Sequence, residues 1–159
     1  MANIEITRPP VAQTAMLIRR PVAEVFEAII DPEFTAHFWF SHGSGRLEVG
    51  KTVQWEWKWY DISIDVTATK IEPNKLIVME WPGYSGPTTV TWKFTELERG
   101  TFLEVEESGW TGTGDELVKY VGDSTGGFTW TLAGMKAYLE HGLELNLIAD
   151  RLPKELGRP

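Results

Sequence analysis

Between Val53 and Ser108 apolar side chains recur at every second position, and this period of two constrains the fold more than any other feature of the chain. Val53, Trp55, Trp57 and Trp59 alternate with Gln54, Glu56, Lys58 and Tyr60. Ile62, Ile64, Val66 and Ala68 alternate with Ser63, Asp65, Thr67 and Thr69. Further strands read as Leu76–Trp81, Thr88–Leu97 and Thr101–Ser108. The breaks between them, Glu72-Pro73-Asn74, Pro82–Pro87 and Glu98-Arg99-Gly100, carry turn chemistry. Hops this short join antiparallel neighbours, because a parallel pair needs a long crossover. The pattern therefore predicts an antiparallel meander.

Helical spacing flanks the meander. Residues 1–10 read as a loose leader ending in Pro9-Pro10, and Val11 to Arg20 as a first strand. Pro21 suits the first position of a helix whose stripe is Val22, Val25, Phe26, Ile29 and Ile30. Asp31-Pro32-Glu33 then stops that helix and starts a second, with Asp31 as N-cap, Pro32 at N1 and an acid in the first turn. This second helix would carry Phe34, His37 and Phe38 into Trp39-Phe40. After a glycine-rich loop over Gly109–Gly114, a short helical piece reads over Asp115–Tyr120. A longer helix, capped by Asp123 or Ser124, runs to His141, with Gly142 as its stop. Phe128, Leu132, Met135 and Leu139 form one stripe of it; Trp130, Ala133 and Ala137 form another.

Composition narrows the classes. A chain of 159 residues suits one domain with one sizeable core. Fifteen Lys+Arg against 23 Asp+Glu give a net charge of -8, which repels phosphate backbones and argues against nucleic acid as a partner. The absence of cysteine removes disulfides, thiolate metal sites and cysteine nucleophiles together. No run approaches the ~20 apolar residues of a membrane span, and no basic region followed by an apolar one marks a signal peptide. The expected location is the cytoplasm. Eight tryptophans are the compositional oddity, since these large flat side chains concentrate in cores, pockets and interfaces.

The order is strand, two short helices, about six antiparallel strands and a long C-terminal helix. A long twisted sheet beside one helix with a wide apolar arc predicts an α+β fold in which the sheet wraps the helix and leaves a cavity between them. Pro21-Val22-Ala23-Glu24-Val25-Phe26, followed by Asp31-Pro32 and Phe38-Trp39-Phe40, resembles the opening of START-like (SRPBCC, Bet v 1-like) domains. Within them the chain is similar to the branch called activator of heat-shock-protein-90 ATPase homologue. The similar features are Thr89-Val90-Thr91-Trp92, Glu107-Ser108-Gly109-Trp110, and Phe128-Thr129-Trp130 leading to Leu139-Glu140-His141-Gly142. Phe128 stands where many relatives would have Trp. The resemblance implies a helix-grip fold over residues 12–142: a curved antiparallel sheet gripping the C-terminal helix over a hydrophobic cavity. It implies no single function, since relatives bind lipids, hormones or polyketides, some catalyse cyclisation or dehydration, and the namesake stimulates a chaperone. Residues 143–159 exceed the pattern. They keep Leu143, Leu145, Leu147 and Ile148, too apolar for a free tail, and are expected to pack on the domain or on a partner.

The candidate ligand contacts are Phe38, Trp55, Trp57, Trp92, Trp110 and Trp130 as an aromatic wall, with Glu107 as the polar contact. The rival reading of these aromatics is plain core packing. Glu80, in phase with Leu76 and Val78, and Glu107, in phase with Leu103 and Val105, would line the cavity if those faces point inward. There an acid could orient a ligand, hold a structural hydrogen bond, or act as a general acid or base. His37, His42 and His141 lack metal-ligand spacing. Gly83-Tyr84-Ser85-Gly86-Pro87 and Gly112-Thr113-Gly114 sit in turns rather than in nucleophile-elbow or dinucleotide contexts. No metal or cofactor is required. The leading expectation is binding of a hydrophobic or amphipathic small molecule between sheet and helix. The alternatives are a protein-interaction module, as chaperone cofactor or homodimer, and a cyclase or hydrolase that uses a cavity carboxylate.

Overall fold

In the computed structural model, which describes residues 4–156, the alternating segments become one seven-stranded sheet. The order along the chain is β1 (Ala12–Ile18), α1 (Val22–Ile30), α2 (Pro32–Thr35), β2 (His42–Gly43), β3 (Thr52–Trp57), β4 (Ile62–Glu72), β5 (Leu76–Gly83), β6 (Gly86–Leu97), β7 (Gly100–Ser108) and α3 (Gly114–His141). The sheet order is β1-β7-β6-β5-β4-β3-β2, and every neighbouring pair is antiparallel. Only β1 departs from the meander; it returns to pair with β7. A bulge in β4, where the register shifts between Ala68 and Lys70, bends the strand. The result is the α+β, helix-grip arrangement: a curved open sheet with a long C-terminal helix across its inner face and two short helices after β1.

The inner face is written by the pleat. Val53, Trp55 and Trp57 of β3, Val66 and Ala68 of β4, and Ile77 and Met79 of β5 are buried. So are Val90, Trp92 and Phe94 of β6, and Leu103 and Val105 of β7. From α3 come Phe128, Leu132 and Met135. Asp31 caps α2 as expected, its carboxylate accepting from the Glu33 N–H at 3.0 Å.

Several local readings change. β3 ends at Trp57, and Lys58–Tyr60 form a 3₁₀ turn, so Trp59 leaves the alternation. α2 stops at Thr35, and His37 to Trp39 follow as turns. In β5 the inward phase is Ile77, Met79 and Trp81, so Glu80 faces solvent and its role as a cavity acid falls. The C-terminal helix is one rod rather than two. Thr113 and Glu116 form a capping box that sets its start, and Asp123 and Ser124 lie inside it. Its interior glycines cost about 1 kcal/mol each in propensity, but three of them make room for neighbours. A Cβ on Gly134 would come within 3.2 Å of the Phe38 carbonyl, and one on Gly126 or Gly127 within 2.9 Å of the Arg151 guanidinium. Gly142, at φ 67°, ends the rod as predicted.

Beyond Gly142 the chain turns back over the body. Ile148 is buried in the core cluster, and Leu143 and Leu145 stay exposed. Tyr60 donates to the Ile148 carbonyl, Arg151 reaches Asp123 at 3.0 Å, and Lys154 reaches Asp61 at 3.0 Å. One buried aliphatic side chain contributes about 1.5–3 kcal/mol, and exposed ion pairs about 0–1 kcal/mol each. This segment is therefore attached far more weakly than the long strands of the sheet.

Candidate functional site

The layer between the sheet and α3 has two chemically distinct ends. Trp39 occupies the middle. Thr35 fixes its approach: the hydroxyl donates to the Ala28 carbonyl at 2.6 Å, and the Thr35 carbonyl accepts from the Trp39 N–H at 3.0 Å. The Trp39 ring centre lies 5.0, 5.9, 6.0, 5.4 and 5.9 Å from those of Trp55, Trp57, Trp81, Trp92 and Phe128. Phe40 adds a further ring 4.9 Å from Trp55. Edge-to-face and tilted pairs of this kind add about 0.5–1.5 kcal/mol each beyond their burial. The hollow expected from the sequence is thus occupied by rings, and the reason is Trp39, a residue that sequence reasoning left out of the wall. Two depressions open on the surface among the described residues. One of about 720 Å³ adjoins the β4–β5 turn at Asn74 and Lys75, and one of about 250 Å³ lies beside Trp81, Pro82 and Pro87.

The other end is polar. Glu107 is 3% exposed and has its carboxylate satisfied from three directions. Oε2 accepts from Trp81 Nε1 at 2.8 Å and from the Thr88 hydroxyl at 2.6 Å; Oε1 accepts from the Ser124 hydroxyl at 2.6 Å. The fold brings these together simply. Trp81 and Thr88 are opposite each other across β5 and β6, Val90 faces Glu107 across β6 and β7, and Ser124 lies one helical turn before Phe128. A buried carboxylate demands such partners, since charge left unpaired in an apolar interior is costly.

Trp92 is the next inner residue of β6 after Val90, which makes it a diagonal neighbour of Glu107. It is fully buried, yet among the described residues its Nε1–H has no acceptor. Trp110 Nε1–H is also buried and unpaired, but Trp110 packs outside the main apolar cluster. A buried unpaired donor costs about 1–3 kcal/mol, and native interiors contain few of them.

Of the residues proposed from sequence, Trp55, Trp57 and Trp92 surround Trp39, and Glu107 stands beside Trp92. Phe38 is buried against α3, next to Tyr138 and Gly134, away from the ring cluster. Trp130 is 45% exposed. Two residues of helix turn the side chain by about 200°, so Trp130 stands opposite Phe128 and cannot line the interior. Sequence reasoning missed Trp39, Trp81, Thr88, Ser124 and Phe128. Ser124 and Phe128 were findable as an i, i+4 pair on one face. Among the described residues no group of three or more His, Asp or Glu side chains is gathered as a metal ion requires, and no helix is long and apolar enough to cross a membrane.

A curved sheet gripping one long helix, with an aromatic layer and one buried carboxylate between them, defines the helix-grip class. Within it, the model of the family described as activator of Hsp90 ATPase homolog 1-like protein matches residues 19–140, and the chain belongs to that family. Among solved structures it is similar to the protein SSP2350 of Staphylococcus saprophyticus, with 33% identity, 86% of this chain and 96% of that chain covered, and a TM-score of 0.74. It shares its fold with the Aha1 dimer of Colwellia psychrerythraea (20% identity, 84% and 98% covered, TM-score 0.72). It shares it also with DynU16, a protein of the dynemicin biosynthetic locus (24% identity, 84% and 48% covered, TM-score 0.73). No curated protein matches the chain.

Proposed function

We propose that this protein binds a hydrophobic or amphipathic small molecule between the sheet and α3, at the end formed by Trp81, Trp92, Glu107, Ser124 and Phe128. The observation that carries the reading is the buried Trp92 Nε1–H without an acceptor. A ligand oxygen or nitrogen placed there would recover the hydrogen bond, while the surrounding rings bury its apolar body. Glu107 orients the site by holding Trp81, Thr88 and Ser124 in place. Because Trp39 fills the layer, binding requires that ring to yield, and the apparent affinity is lowered by the fraction of molecules in which it has done so. Catalysis is not part of the reading, as both Glu107 oxygens are already engaged by protein donors. The cytoplasm remains the proposed location, on the cysteine-free composition.

The test is a titration with a panel of aromatic and acyl compounds, followed by tryptophan fluorescence. A saturable response is expected, weakened about five- to tenfold in Trp92→Phe. Silence across the panel, or an unchanged affinity in Trp92→Phe, would overturn the reading.

A second reading, a homodimer or other protein contact, is favoured by the outward Trp130, which is unusual for so large an aromatic residue. One fold relative is itself described as a dimer. Sedimentation of the wild type against Trp130→Ala distinguishes the two: a dimer that dissociates in the variant supports protein contact, and a monomer in both removes it.

A further inference from the structure

The two flanks of α3 are attached differently. Toward β1, Thr129, Lys136 and Glu140 are bonded to the strand or its end: Thr129 to the Thr14 hydroxyl at 3.0 Å, Lys136 to the Leu17 carbonyl at 2.9 Å, and Glu140 to the Arg19 N–H at 3.0 Å. On the opposite flank, Tyr84 donates to Asp123 and stacks on Tyr120 at 4.9 Å, and the 143–156 segment supplies the further ties. Arg151 donates to both the carbonyl and the carboxylate of Asp123 at 3.0 Å. Tyr60 donates to the Ile148 carbonyl and accepts from the Leu152 N–H at 3.3 Å. Near its start, Glu144 pairs with His37, whose ring stacks on Tyr138 at 4.4 Å. His37 lies two residues before Trp39, so the segment also braces the stretch that carries the ring occupying the site. Its single buried anchor is Ile148; most of the remainder is exposed.

We propose that residues 143–156 are a strap that gates the layer between sheet and α3. Detachment of Ile148 and Arg151 loosens the flank of α3 at Asp123, one residue from the Glu107 partner Ser124, and leaves Asp123 to Tyr84 alone. Loss of the Glu144–His37 contact frees the turn that holds Trp39. Ligand exchange then follows strap opening, while the β1 flank stays clamped. The gate takes its purpose from the binding reading above; the opening itself does not depend on it.

The experiment measures hydrogen exchange of the assigned indole N–H of Trp39 and Trp57 by NMR, together with the association rate of 8-anilinonaphthalene-1-sulfonate. The proteins are the wild type, Ile148→Ala, Arg151→Ala and the opposite-flank control Lys136→Ala. Indole exchange should rise about tenfold or more in Ile148→Ala and less in Arg151→Ala, with the probe's association rate rising in step. Lys136→Ala should change neither beyond its effect on global stability. Equal exchange in the strap variants and the control overturns the gate. Faster exchange in the strap variants with no probe binding in any protein supports the opening and counts against the ligand reading. Arg151→Ala, which removes no side chain of the apolar core, keeps the test decisive should Ile148→Ala fold poorly.

Discussion

The two ends of the layer beneath α3 are built by opposite means. Around Trp39 and Trp55 the interior is ring against ring and asks for no hydrogen bond except from the indole nitrogens. At Glu107 a single carboxylate organises three side chains by hydrogen bonding. The aromatic end is stabilised by area and is tolerant of geometry. The polar end fixes directions, and it is there that Trp92 presents a donor with nothing to bind. That unspent donor beside a rigid carboxylate cluster is the feature on which the proposed binding site rests.

Removing the ring at the centre of the aromatic end should have the largest effect. Trp39→Ala is expected to cost about 3–5 kcal/mol, because it deletes the side chain that six other rings touch. Denaturant unfolding measures it, and a loss under about 1 kcal/mol would mean that the layer collapses onto the gap. At the polar end Glu107→Leu should cost about 2–3 kcal/mol by leaving Trp81, Thr88 and Ser124 without their shared acceptor. A double-mutant cycle with Ser124→Ala should show coupling of about 1 kcal/mol; additive losses would separate the two residues energetically.

A carboxylate outside the layer sharpens the contrast. Glu140 is desolvated by α3 and β1, which alone would raise its pKa. The Arg19 N–H and Lys136 outweigh that and hold it below its usual 4.5. Its folded pKa is therefore depressed, so its contribution is present above the unfolded value and is lost as pH falls through the folded one. Glu140→Gln should lose on the order of 1 kcal/mol at neutral pH, and the difference from the wild type should vanish in acid. A difference independent of pH would refute the charge-based account. The smallest effect belongs to Trp130→Ala, whose side chain is largely in water; stability should change by less than about 0.5 kcal/mol.

The sequence made the grip of sheet on helix legible because β3, β6 and β7 each bury one clean alternating face. It also showed Glu107, which shares the phase of Leu103 and Val105. It did not show the inward face of β5, since Leu76-Ile77-Val78-Met79 is apolar on both sides and alternation carries no information there. Trp39 stayed hidden for a related reason: it sits in irregular turns, where no period tells inside from outside. The continuity of α3 was written in Thr113 and Glu116, but the glycines obscured it until the contacts of Phe38 and Arg151 explained them. Trp130 was misplaced by residue type, although helical geometry alone sets it opposite Phe128.

The most direct test follows the eight indole N–H signals by ¹⁵N NMR while aromatic and acyl compounds are added, with Trp92 assigned through Trp92→Phe. The account expects the Trp92 signal to move saturably, as its donor gains an acceptor, with Trp39 shifting as its ring gives way. A panel that leaves Trp92 unmoved, or that perturbs only Trp130 on the outer face of α3, would contradict it.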